Sequence, residues 1–251
     1  MDSRVRRGQV LVIAALAISL TILTTQMYLY SLSARRIDAE NDYLSDYILS
    51  LEQGTKNVAI ASLANITSGG ATSVLEENMN RWEVFTSGDY RYGKCTLNIT
   101  MESENAYTDG IWKSWGISGT GYSSASVTID LGVNGKGVEV SLSSTINITT
   151  KITETASYTA LGGNSKQIEV TINLSNKELP ASASTISVEY NKTTIWEDAS
   201  SLGDYSETDY GNGTYKYRFT DDVTKTQIPV RVRVTDRRGI TVETETLAEE
   251  S

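Results

Sequence analysis

The chain has 251 residues, 39% of them hydrophobic, and sets 22 basic against 31 acidic residues for a net charge of −9. That length holds one or two domains with a packed core, and the acidic balance argues against a nucleic-acid partner, which selects a basic face. The absence of histidine excludes Ser-His-Asp, Cys-His and His-zinc chemistry, and the single Cys95 excludes an intrachain disulfide and any cysteine-type zinc or iron–sulfur site.

The first predicted element is Gln9 to Ser33, which carries no charge between Arg7 and Arg35. At roughly 1.5 Å per residue its most apolar part, Gln9 to Tyr30, makes a helix about 33 Å long, the span of a bilayer's hydrocarbon core. Residues 9–33 are therefore expected to form a transmembrane helix, with the membrane as a partner. Arg4, Arg6 and Arg7 precede it against a single Asp2, whereas Arg35 and Arg36 behind it are diluted by Asp38, Glu40, Asp42 and Asp46. The more basic flank stays in the cytoplasm, which puts residues 1–8 inside and the C-terminal region outside the cell.

Arg6-Arg7-Gly8-Gln9 runs straight into this apolar helix. In that, residues 1–35 resemble the class III leader of archaeal type IV pilins and pilin-like proteins. The resemblance implies cleavage by a membrane peptidase between Gly8 and Gln9, retention of the apolar helix on the mature protein, and self-association through that helix in a surface filament. Where many pilins carry glutamate at the fifth mature position, this chain has Ile13. A signal anchor that is never cut fits the same residues. A conventional signal ending at Ser31-Leu32-Ser33 has too long an apolar region. Ala15 and Ser19 offer a small-xxx-small face for helix packing.

From Ile37 the helical period continues with Tyr43, Leu44, Tyr47, Ile48 and Leu51 on one stripe, which predicts an amphipathic stalk to Gln53, a kink or stop at Gly54 and a resumption over Val58 to Leu63. Ser68-Gly69-Gly70 breaks the helix. Ser73 with Glu76 then reads as a capping box for a second helix, Val74 to Phe85, with Val74, Leu75, Asn78, Met79, Trp82 and Phe85 inward.

After Gly88 the pattern is strands. Val127, Ile129 and Leu131 alternate, Asn134-Gly135 follows, and Val138, Val140 and Leu142 alternate; a two-residue turn pairs Leu131 with Val138, Ile129 with Val140 and Val127 with Leu142. Beyond Leu161-Gly162-Gly163-Asn164 come alternating runs at Ile168 to Leu174, Ile186 to Tyr190, Tyr215 to Phe219 and Ile228 to Val234. A three-residue loop, Arg237-Arg238-Gly239, sets Val234 against Val242, Arg233 against Glu243 and Arg231 against Glu245. Val127-Thr-Ile-Asp-Leu recurs as Val170-Thr-Ile-Asn-Leu, which leaves open two small sandwiches or one larger β domain. Short strands between turn signals predict an immunoglobulin-like sandwich. The segment from Pro180 to Gly239 resembles the Ig-like modules of archaeal surface proteins.

Six Asn-x-Ser/Thr triplets, at Asn65, Asn98, Asn147, Asn173, Asn191 and Asn212, exceed chance among 14 asparagines and point to N-glycosylation of an exterior protein. Cys95 is placed in a strand core. Asp198, Asp204, Asp209, Asp221 and Asp222 lie near predicted loops and are read as solvated acids in preference to calcium ligands, since no EF-hand spacing is present. Trp112 and Trp115 among Gly110, Gly116, Gly119 and Gly121 read as an exposed adhesive loop or as aromatics covering a sandwich edge. No glycine-rich phosphate loop follows a strand, and no carboxylate pair stands out by spacing.

The fold is therefore expected to be α+β, mainly β outside the membrane, in five segments: a cytoplasmic leader (1–8), a transmembrane helix (9–33), an amphipathic helical stalk (34–88), a β domain (89–163) and an Ig-like β-sandwich (164–251). The function expected is that of an extracellular structural or adhesive pilin-like protein, a subunit of a surface filament that also meets a cell-surface protein or glycan. The alternative is a single-pass Ig-like surface protein that binds a partner or the cell-wall layer. No catalysis, cofactor or metal is expected.

Overall fold

The computed structural model describes the backbone of residues 3–90, 93–135 and 138–251 and the side chains of residues 21–30, 44–87, 94–134 and 139–251. Contacts divide the chain into two units, Met1–Gln53 and Gly54–Ser251. The first is the leading part of α1 (Ser3–Thr67), a single helix of 65 residues. The second holds the end of α1, then α2 (Val74–Thr86), β1 (Gly88–Tyr90), β2 (Gly93–Met101), β3 (Ile111–Trp115), β4 (Thr120–Gly135), β5 (Val138–Gly162), β6 (Ser165–Asn176), β7 (Leu179–Pro180), β8 (Ala183–Asn191), β9 (Trp196–Asp198), β10 (Ser206–Asp209), β11 (Thr214–Asp222), β12 (Ile228–Asp236) and β13 (Thr241–Glu250).

Within the second unit, the end of α1 is amphipathic and buries Ala59, Leu63 and Ile66, while α2 buries Leu75 and Met79. Two side-chain bonds tie the helices together: Trp82 Nε1 donates to Thr55 Oγ1 at 2.9 Å and Asn78 Nδ2 to Ser62 Oγ at 3.0 Å. Gly54 is a contact point and no break, because a Cβ there would stand 2.3 Å from the Trp82 ring. The expected capping box does not form. Ser73 has helical φ and ψ, its side chain caps no backbone N–H, and its hydroxyl instead donates to Glu77 Oε1 at 3.0 Å.

The strands join in one hydrogen-bonded sheet whose main path is β1, β2, β4, β5, β13, β12, β8, β9, with β3 on β4 and β6 linking β5 to β11 and β10. The 25-residue β5 organises it: its first half pairs with β4 from Gly135↔Val138 to Thr120↔Thr153, and its second half with β6 from Thr150↔Asn176 to Gly162↔Ser165. The sheet curls, so that Ile168, Val170, Ile172, Tyr217 and Phe219 of β6 and β11 share one core with Val188, Tyr190, Val230, Val232 and Val234 of β8 and β12. Where β4 crosses β13, a Cβ on Gly121 would stand 2.4 Å from the Glu243 carbonyl oxygen, so only glycine lets the two backbones approach this closely.

Three expectations are corrected. Among the described residues no helix is long and apolar enough to cross a membrane, which overturns the transmembrane helix over residues 9–33. The stalk does not end at Gln53, since the helix passes Gly54 and continues to Thr67. In place of one or two separate Ig-like sandwiches the chain has a single curled sheet, because β5 runs unbroken through the region where the apolar pattern alone breaks into pieces and pairs on both sides.

The β12–β13 hairpin has the expected register, Val234↔Val242, Arg233↔Glu243 and Arg231↔Glu245. Gly239 at φ 83° supplies the turn, and Asp236 closes it by accepting from the Arg238 and Ile240 amides at 2.8 and 3.1 Å. The β4–β5 hairpin forms with a different register: Leu131 pairs with Leu142, Val133 with Val140, Val127 with Ile146 and Ala125 with Ile148. The expected turn would have put Ile146 and Ile148 opposite Ser123 and Gly121. The observed slide of four residues keeps every side chain on its face and gives Ile146 and Ile148 the apolar partners Val127 and Ala125, while Ile129 falls opposite Ser144.

Candidate functional site

The leader pair Gly8 and Gln9 lies in helical backbone whose side chains fall outside the described residues. Of the six sequon asparagines, Asn65, near the end of α1, and Asn98, Asn147, Asn173 and Asn212 are exposed and Asn191 is half-buried. Asn98 on β2 and Asn147 on β5 alternate outward beside buried Leu97, Ile146 and Ile148. Asn173 Oδ1 accepts from Thr214 Oγ1 at 2.8 Å, Asn212 Oδ1 from the Thr214 amide at 3.1 Å and Asn191 Oδ1 from Lys225 Nζ at 2.5 Å. Their carbonyl oxygens are engaged locally, and the six positions are not brought together in one site.

The tryptophans sit on β3 and not in a loop. Trp112 stacks on Tyr122 with centroids 4.7 Å apart, the Tyr107 ring meets Trp112 at 68° and 6.1 Å, and Lys151 Nζ lies 5.3 Å from the Tyr122 centroid. Tyr107 is fixed by a 2.8 Å bond between its hydroxyl and Ser124 Oγ, which also donates to the Ile148 carbonyl. The result is a ladder of contacts, Tyr107, Trp112, Tyr122, Lys151, in which ring packs on ring and a cation lies over the last. Trp115 gives its Nε1–H to Ser123 Oγ at 3.0 Å and is covered by Lys113.

The acidic positions have local partners too. Asp198 Oδ1 accepts from the Ser200 amide, Asp204 from the Thr220 amide and Asp209 from the Gly211 amide. Asp221 accepts from Tyr190 Oη at 2.7 Å and Lys192 Nζ at 2.8 Å. These bonds hold the Asp221 carboxyl below its ordinary value although burial opposes them. Among the described residues no three His, Cys, Asp or Glu side chains gather as a metal site. Cys95 is buried in β2.

One buried acid is absent from the sequence reading. Glu154 on β5 is 4% exposed, and neither of its carboxylate oxygens has a hydrogen-bond partner. Burial, then the charge of Glu245, pushes it up to about 9, so it is neutral at pH 7. Its backbone holds the turn between β3 and β4, since the Glu154 amide donates to the Gly119 carbonyl at 2.7 Å and the Gly119 amide to the Glu245 carbonyl at 3.0 Å. The signal was the alternation itself: Ile152, Glu154 and Ala156 occupy successive positions on one face of β5, and Ile152 is fully buried.

Two apolar surfaces stay uncovered. On the leading part of α1, Ile22, Leu23, Met27, Tyr28, Leu29 and Tyr30 are 55 to 79% exposed, all round the helix. In the second unit, Phe85 stacks on Trp82 at 5.6 Å and is itself 79% exposed, contrary to its expected inward position. It closes one side of a groove of about 290 Å³ lined also by Val58, Ala61, Asn78, Arg81 and Trp82.

No family model matches the chain, and no curated protein matches it.

Proposed function

We propose that this chain is a structural or adhesive subunit of an extracellular filament, assembled through the leading part of α1 with the β unit displayed outward. The observation that carries the reading is the set of large apolar side chains on the leading part of α1, Ile22, Leu23, Met27 and Tyr30, each more than half exposed. Closely spaced exposed apolar side chains mark a surface for association, and neighbouring copies of the same helix provide the covering. Burying these four side chains between copies contributes on the order of 10 kcal/mol, since each stabilises by about 1.5–3 kcal/mol. The N-terminal resemblance to pilin leaders supports the same assembly, with cleavage between Gly8 and Gln9 freeing the helix. Exposed sequons on β2 and β5, Asn98 and Asn147, fit an exterior location.

The test is the mass of the N-terminal peptide of native protein, taken from cell membranes and separately from material sheared off the cell surface. A peptide beginning at Gln9 in the sheared fraction is expected. An intact Met1 or Asp2 start that never leaves the membrane fraction contradicts the filament.

A further inference from the structure

Two of the six sequon asparagines leave the sheet from the same side. Asn98 on β2 and Asn147 on β5 are exposed, and the neighbours that alternate with them, Leu97, Ile146 and Ile148, are buried on the other face. Register carries that outward face across three strands. Asn98 lies beside Asp130 of β4, and Asp130 beside Ser143 of β5; in the next row Thr100, Thr128 and Thr145 follow one another, the last two sharing a 3.0 Å hydroxyl bond. Neither row holds a cation, an aromatic ring or a large aliphatic side chain, the groups that make the core of a protein interface. Both rows are hydroxyl, amide and carboxylate, which hydrogen-bond to sugar hydroxyls. Asn147 lies beside Ser126, four residues along β4 from Asp130, so the two asparagines stand about 17 Å apart with β4 between them.

We propose that Asn98 and Asn147 both carry N-linked oligosaccharides, which cover this outward face of β2, β4 and β5. The inference rests on the exterior placement of the β unit and specifies the face that the sugar occupies. In each transfer the asparagine Nδ2 bonds to the anomeric carbon of a lipid-linked glycosyl phosphate; the carbon–oxygen bond to the phosphate breaks, the phosphate leaves with its electron pair, and the amide loses one proton. The other four sequons are differently placed. Asn191 is half-buried and accepts from Lys225, Asn173 and Asn212 are both bonded to Thr214, and the Thr67 hydroxyl that completes the Asn65 sequon is bonded to the Leu63 carbonyl and the Thr241 amide.

Trypsin separates the two sites, since residues 95–113 and residues 137–151 each hold one sequon. In full-length protein isolated from its own cells, both peptides are expected at the mass of peptide plus oligosaccharide. Thr100→Ala, which breaks the first sequon and keeps its asparagine, is expected to return residues 95–113 to bare mass. Coverage is read at Asp130, the one carboxylate among residues 114–136. Its carbodiimide coupling to glycine ethyl ester is expected to be slower in the native chain than in the Asn98→Gln, Asn147→Gln double variant, with exposed Glu178 on the β6–β7 turn coupled equally in both. Either peptide found wholly bare overturns the proposal, and if that protein comes from sheared filaments the filament reading stands. Sugar on both sites of a protein that never leaves the membrane upholds the glycans and contradicts the filament. Sugar on both sites with Asp130 coupled equally in the two chains overturns the covering of the face.

Discussion

The two ends of α1 are one helix built to opposite rules. From Thr21 to Tyr30 its large apolar side chains are exposed, whereas between Gly54 and Thr67 Ala59, Leu63 and Ile66 are 0 to 4% exposed. Polar groups follow the same division. Thr55 and Ser62 are buried because α2 hands them the Trp82 and Asn78 donors, and Thr67 Oγ1 accepts from the Thr241 amide at 3.0 Å, tying the helix end to β13. Apolar content alone therefore does not assign a role: Ala59, Leu63 and Ile66 are covered by their own chain, whereas the large apolar side chains between Ile22 and Tyr30 are exposed.

The largest effect is expected in the β12–β13 hairpin, whose Thr241 amide donates to Thr67 at the end of α1. Asp236 is fully buried and bonded to Arg238 at 2.8 Å, Thr150 Oγ1 at 3.0 Å and two backbone amides. Asp236→Ala strands the half-buried Arg238 and is expected to cost about 3–5 kcal/mol in denaturant unfolding. Leu63→Ala, a cavity at the helix end, costs about 2–5 kcal/mol by the same measurement. Gly54→Ala sharpens the contrast, since alanine is normally the better helix former by about 1 kcal/mol; here the added Cβ meets the Trp82 ring, and a net loss of about 1–3 kcal/mol is expected.

Glu154 gives a pH signature with a definite sign. Its carboxyl rises from the ordinary 4.5 to about 9 on folding, so between those values the unfolded chain has released a proton that the folded chain keeps. Stability contributed by this group is therefore full below about pH 4.5, falls as pH rises through the window and levels off above about pH 9. Glu154→Gln, measured by unfolding across pH 5 to 9, is expected to flatten that slope and to gain about 1–3 kcal/mol at pH 8. The smallest effect belongs to the leading part of α1: at concentrations too low for assembly, Leu23→Ala shifts unfolding by less than about 0.5 kcal/mol, as an exposed site should.

What the sequence made legible was local. The β12–β13 register followed from Gly239, the alternating valines and the Arg–Glu pairs, and Arg233 Nη2 does meet Glu243 at 2.7 Å. The Asn134-Gly135 signal located the β4–β5 hairpin but not its register, because the pairing energy of a 16-residue β4 outweighs one turn's preference. Gly54 looked like a helix break because its partner, the Trp82 ring, lies 28 residues away. The curl of the sheet was illegible for the same reason. Long stretches of β5 are Ser and Thr, so periodicity broke the strand into pieces, and only its two pairing partners reveal it as one element. Trp112 and Trp115 read either as an adhesive loop or as cover for a sandwich edge, and the structure puts both on β3, Trp112 against Tyr107 and Tyr122 and Trp115 under Lys113. The buried Glu154 hid among Thr and Ser that alternate in the same way.

The central claim, that the leading part of α1 is completed by other copies of itself, is tested most directly by sedimentation of the full chain beside its Leu23→Lys, Met27→Lys double variant over a range of concentrations. The account predicts large, concentration-dependent assemblies for the native chain, and monomers with an unchanged thermal midpoint for the variant. A native chain that sediments as a monomer throughout, or a variant that assembles equally well, would contradict it.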